Sequence, residues 1–168
     1  MASYKRFEEL PAWKEAIDLA LHVYQLTEKE PLFKTKAGLK NQLERAALSV
    51  SNNIAEGFER GTTNELLSFL YIARGSAGEV RSMLCLIEKL ELAQNFKSEI
   101  SNLKFKVEAI SRQLRAWADS LQNSGIRGQR HFNENTRLRL DREKSGQILQ
   151  AEIDVRLKEA GFERSSQI

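Results

Sequence analysis

Between Ile100 and Leu121 the apolar residues Ile100, Leu103, Val107, Ile110, Leu114, Trp117 and Leu121 follow a strict alternation of three and four positions. A repeat averaging three and a half residues stays on one side of a helix only if that helix packs against neighbours at a shallow left-handed angle. One such stripe cannot be buried alone, so the chain must supply further helices.

Three earlier segments meet that demand. In the first, Leu10, Trp13, Ile17, Ala20 and Tyr24 recur at helical spacing, and Pro11 stands where a first helical turn tolerates it. This helix is expected to end before Pro31. The second runs from about Leu39, with Leu43, Ala46, Val50 and Ile54 on one face, and stops between Gly57 and Gly61. Thr62 followed by Glu65 is a capping-box pattern, and it opens a third stripe of Leu66, Leu70, Ala73, Ala77, Val80, Leu84 and Ile87. Four helices of about 20 to 28 residues joined by short connections must fold back on one another. The expected fold class is therefore all-α: an antiparallel up-and-down four-helix bundle over residues 1–121. The scarcity of helix breakers, 2 Pro and 9 Gly, agrees with this.

Leu21, Val23, Leu48, Phe58, Phe69, Ile72, Leu86 and Leu90 do not fit the inward stripes. They widen the apolar arcs, which points either to thicker core packing or to a homo-oligomer, with self-association the preferred reading. Gly75 and Gly78 lie inside the third period, where each costs about 1 kcal/mol relative to Ala. With Ala73, Ser76 and Ala77 they are expected to allow close helix approach.

After Leu121 the pattern lapses. Residues 122–168 read as a C-terminal extension, flexible when alone, with a short helix over 145–160 through Ile148, Leu149, Ile153 and Leu157. Its Arg-Leu-Arg-Leu run at 137–140 would dock on a protein, add to an RNA site with His131 and Phe132 stacking, or stay disordered.

Charge narrows the function classes. The chain holds 26 Lys and Arg against 23 Asp and Glu, a net +3 that is weak evidence for nucleic acid by itself. The lone Cys85 cannot form an internal disulfide, the opening MASYKRFEEL has no apolar signal segment, and no apolar run approaches the roughly 20 residues of a membrane span. A cytoplasmic location away from membranes is expected.

The residues three before His22 and His131 are Leu19 and Gly128, so the Glu-x-x-His pairs of carboxylate-bridged metal bundles do not occur. Phosphate-binding glycine loops and nucleophile motifs do not occur either. The expectation is a non-enzymatic protein with no cofactor and no metal. Candidate nucleic-acid contacts are Lys34, Lys36 and Lys40 near the first connection, Arg60, Arg74 and Arg81 around the third helix, and Arg127, Arg130, Arg137 and Arg139 in the extension. Arg45, Ser49, Asn52, Asn53 and Glu56 form a polar flank on the second helix. Tandem Asn weakens a helix, so this cluster reads as polar packing between helices or subunits, with Arg60 or Arg74 as counter-charges, or as a ligand or RNA contact.

The stretch NQLERAALSVSNNIAEGFERGTTNELLSFLYIARGSAGEV, from Asn41 to Val80, resembles the four-helix-bundle family encoded within intervening sequences of bacterial 23S ribosomal RNA genes. The opening FEELPAWKEAIDLALHVYQLT, the run Asn53 to Gly57, Arg60, and Ala73 to Ser76 support the resemblance, which spans about residues 7 to 121. It implies a ring-like homopentamer. A sister group, the accessory variability determinant of diversity-generating retroelements, pairs a more basic pentamer with nucleic acid and a reverse transcriptase. The resulting expectation is a homo-oligomer that associates electrostatically with RNA or DNA, RNA foremost. The alternative is a scaffold whose ring and tail recruit a protein partner such as a nucleic-acid enzyme.

Overall fold

A computed structural model describes residues 4–90 and 95–123 and, beyond them, 142, 145–148, 150, 151, 154 and 155. The chain divides into two units, Met1–Arg130 and His131–Ile168. In the first, a 3-10 turn at Phe7–Glu9 leads into α1 (Pro11–Lys29), a short α2 (Pro31–Thr35), α3 (Ala37–Glu59), α4 (Thr63–Lys89) and α5 (Lys97–Gln122). In the second, the described residues are helical and exposed, and the Gln150 side-chain amide donates to the Asp154 carboxylate at 2.9 Å.

Local chemistry sets the helix ends. Pro11 and Pro31 each occupy a first turn, where the missing N–H has no partner to lose. Thr62 caps α4: its hydroxyl oxygen accepts from the Glu65 backbone N–H at 3.2 Å and lies 2.7 Å from the Glu65 carboxylate. The short α2 buries Leu32 and Phe33 and turns the chain from α1 into α3. That element escapes a periodicity reading because five residues are too few to show a stripe.

The long helices close a ring of contacts: α1 packs on α3 and α5, and α4 packs on the same two. α1 and α4 therefore stand at diagonal corners of an all-helical up-and-down bundle. All seven positions of the α4 stripe, Leu66 to Ile87, are buried, as are Leu43, Ala46, Val50 and Ile54 of α3. On α5, Ile100 through Leu114 are buried, while Trp117 and Leu121 pack at the margin and Ala118 takes the last inward position.

The register of α1 differs from the sequence reading. Its buried face is Ala12, Ala16, Leu19, Ala20, Val23 and Leu26, whereas Ile17 and Tyr24 are exposed and Trp13 is only partly covered. Val23, expected outside the stripe, is wholly buried. The helix carries two overlapping apolar stripes, and the inward one is built largely of alanine, which lets backbones approach closely but contributes little to a count of large residues.

The glycine reading also needs correction. A Cβ at Gly75 or Gly78 would meet nothing within 4 Å, so neither serves close packing inside the chain. Gly57 does. A Cβ there would lie 2.6 Å from Phe69 Cβ and 3.2 Å from Leu66 Cδ1, where the end of α3 meets the start of α4. Among the described residues, no helix is long and apolar enough to cross a membrane.

Candidate nucleic-acid interface

The basic residues singled out above scatter over the bundle and differ in how far their charge is already used. Lys34 lies in α2, Lys36 at its junction with α3, and Lys40 in the first turn of α3, where it pairs with Glu44 at 3.6 Å. Arg60 is engaged on three sides. It contacts Glu56 at 2.6 Å and Glu65 at 4.0 Å, and its guanidinium stacks 5.2 Å above the Phe69 ring. The hydrogen bond that Arg60 donates to the Glu56 carboxylate raises its pKa above the usual arginine value. Arg45, Arg74 and Arg81 form no ion pair or hydrogen bond among the described residues. Arg127, Arg130, Arg137 and Arg139 lie outside the described residues.

The polar flank of α3 splits into parts. Asn53 donates to the Ser49 carbonyl at 2.7 Å, and its amide lies 2.9 Å from the Ser49 hydroxyl. Ser49 in turn meets the Ser76 hydroxyl of α4 at 2.9 Å. This chain of polar contacts crosses the α3–α4 seam and supports the polar-packing reading for Asn53. Asn52 is exposed. Glu56 does not bridge helices as expected, because Arg60, one turn along the same helix, reaches its carboxylate first. Arg45 does not bridge either; it lines the outer rim of the seam.

Three grooves follow the helix seams. The α1–α5 groove, about 330 Å³, is lined by His22, Gln25, Leu26, Glu99, Leu103 and Lys106, among others. Its cations are compensated: Lys29 pairs with Glu99 at 3.1 Å, and Lys106 pairs with Asp18. The Lys106 hydrogen bond holds the Asp18 carboxyl below the usual aspartate value. The α3–α4 groove, about 530 Å³, sets Arg45 beside Glu79 with Gln42, Ser49, Ser82 and Met83. Its charges are mixed.

The α4–α5 groove, about 350 Å³, is lined by Ala77, Gly78, Arg81, Ser82, Cys85, Val107 and Ser111, with no carboxylate in its wall. At its end Lys104 holds Glu88 at 2.7 Å, which lowers the Glu88 pKa and raises that of Lys104. Cys85 is half-buried there. Sequence reasoning passed over Ser82 and Ser111. Their one available signal was position: each is a small hydroxyl beside the core stripe of α4 or α5, facing the shared seam.

Among the described residues, no group of three or more His, Cys, Asp and Glu is placed to hold a metal ion. The bundle's own sequence decides its kinship. Residues 8–116 match the family described as 23S rRNA-intervening sequence protein. The chain belongs to that family. This 23S rRNA-intervening sequence protein is also similar to a crystal structure of a protein of unknown function from the S23 ribosomal protein family of Bacteroides thetaiotaomicron. The TM-score is 0.57 at 16% identity, over 64% of this chain and 97% of the other. That likeness establishes the helical fold and nothing of its chemistry. No curated protein matches the chain.

Proposed function

We propose that this member of the 23S rRNA-intervening sequence protein family is a non-enzymatic homo-oligomer that associates electrostatically with nucleic acid, RNA foremost. The observation that carries the reading is the pair of apolar edges on diagonal helices: Ile17, Leu21 and Tyr24 on α1, and Tyr71, Ile72 and Leu86 on α4. Leu21, Ile72 and Leu86 are each at least 50% exposed. A single copy leaves these edges wet, and apolar side chains gathered along a helix edge favour an interface.

Self-association then bears on charge. Residues 1–122 hold 17 Lys and Arg against 16 Asp and Glu, a balance of only +1, so one bundle has little net attraction for a polyanion. Repeating its unpaired cations on a symmetric assembly multiplies the phosphate contacts available to one RNA. The family's connection with 23S rRNA genes makes RNA the first ligand to test.

Light scattering after size-exclusion chromatography, paired with fluorescence anisotropy of a labelled structured RNA over a salt series, tests both halves. The full chain is expected to run as an oligomer and to bind with steep salt dependence. Leu21→Glu and Ile72→Glu should each yield a helical monomer with much weaker RNA binding. A wild-type monomer that ignores RNA at low salt would end this reading.

A further inference from the structure

Of the three grooves described, the α4–α5 one has a wall that carries positive charge without a carboxylate. Arg74 and Arg81 stand on the same side of α4, one turn before and one turn after Gly78, because spacings of four and three bring residues into line on a helix. Their Cα atoms are roughly 10 Å apart along the axis. Neither guanidinium has an ion pair or hydrogen bond among the described residues.

Three acidic residues of α4 and α5 are already held. Glu88 pairs with Lys104 at 2.7 Å, Glu108 with Arg112 at 3.4 Å, and Asp119 with Arg115 at 3.6 Å. Arg74 and Arg81 are unpaired among the described residues, and the unpaired carboxylate between them in sequence, Glu79, lines the α3–α4 groove instead. Between them Gly78 leaves the helix surface bare, with open space where a Cβ would stand. The Ser82 and Ser111 hydroxyls of the wall add neutral donors to the two guanidinium forks.

We infer that the α4–α5 groove is a phosphate-binding site for a nucleic-acid backbone, with Arg81 of its wall and Arg74, two turns earlier on the same side of α4, gripping phosphate oxygens on either side of the open Gly78 surface. Guanidinium forks suit this task because they match phosphate oxygens two at a time. Lys34 and Lys36 are also exposed, with the open Gly38 close by in sequence, but they line none of these grooves, whereas Arg81 lines the α4–α5 one. The inference rests on the nucleic-acid reading and localises it.

The test compares two double variants of the full chain with equal loss of charge, Arg74→Gln/Arg81→Gln and Lys34→Gln/Lys36→Gln. All four positions are surface ones, and circular dichroism checks that the helices persist. Anisotropy of a labelled structured RNA is measured over a salt series. The arginine variant is expected to bind at least tenfold more weakly at low salt. Its log–log salt slope should be shallower by about 1.4 to 1.8 for each engaged groove, the value of two lost phosphate contacts. The lysine variant should keep the wild-type slope. Equal losses in both variants, or a loss in the lysine variant alone, would overturn the groove while leaving RNA binding intact. If the wild type ignores RNA at low salt, the nucleic-acid reading fails, and calorimetric titration with inorganic polyphosphate then decides the groove. Polyphosphate binding that disappears in the arginine variant keeps the site as a phosphate groove; its absence, or its survival in that variant, removes the site.

Discussion

Alanine substitution at Gly57 and at Gly78 should have opposite effects on stability, although both positions are helical glycines. At Gly78 the new Cβ meets nothing within 4 Å. The change therefore returns the helix-propensity difference alone, about 0.5 to 1 kcal/mol of added stability. At Gly57 the same gain is opposed by a Cβ placed 2.6 Å from Phe69 Cβ. That neighbour is the first atom of its side chain and cannot swing away by rotation, so relief requires α3 and α4 to separate at their closest point. Overpacking of this kind costs typically 1 to 3 kcal/mol. Set against the propensity gain, Gly57→Ala is expected to lower stability by up to about 2 kcal/mol. Urea unfolding followed by circular dichroism, at one fixed protein concentration so that any assembly contributes equally, measures both. A neutral or stabilising Gly57→Ala would refute the close-approach argument. A destabilising Gly78→Ala would show that something outside the described bundle already covers that face.

Other consequences follow from single contacts. Thr62→Ala removes the cap on α4 and should cost about 1 kcal/mol in the same unfolding assay, with Thr62→Ser recovering most of it. The Thr63 hydroxyl is buried without a hydrogen-bond partner among the described residues. Thr63→Val keeps the shape and should therefore stabilise the fold by about 1 kcal/mol; a loss of stability there would reveal a partner for that oxygen. Asp18, held below its usual pKa by Lys106, contributes stability that is present above its unfolded pKa of about 3.9 and is lost as pH falls through the lower folded value. The pair is partly open to solvent, which screens it, so Lys106→Met should cost under about 1 kcal/mol at neutral pH. The gap between Lys106→Met and wild type should close as pH falls through the lowered Asp18 value, and a gap that persists once Asp18 is protonated would mean that Lys106 acts through packing.

The parts of this fold legible in the sequence are those where one apolar stripe is unambiguous. α4 and α5 have large residues on the inward face and polar or small ones elsewhere, so counting threes and fours finds their cores. α1 defeats the same count because Ile17, Leu21 and Tyr24 outweigh the alanines that actually face inward. Glycine shows a related limit. Gly57 marks a helix end in the sequence but fills a tight seam in space, while Gly75 and Gly78 suggest a tight seam and stand in the open. Both roles are set by which neighbour arrives, and spacing carries no record of that. For the candidate interface, the sequence supplied cations and the structure sorted them. Arg60 is occupied by Glu56 from its own helix, whereas Arg74 and Arg81 have no ion pair among the described residues.

The apolar edges on α1 and α4 have one more consequence, which concerns counting subunits. The edges lie on different helices at diagonal corners, so a two-fold pair joining like to like would cover one edge of each copy and leave the other wet. Joining unlike edges covers both with a single kind of contact, and such joining has no natural stop at two. Each added copy brings a fresh unlike edge until the rotation per copy brings the last against the first; if it never does, the chain of copies runs on as a fibre. Subunit number would then be set by an angle between neighbours and not by the strength of the contact. A substitution at either edge that tilts the contact without weakening it would change the number of copies in the closed particle.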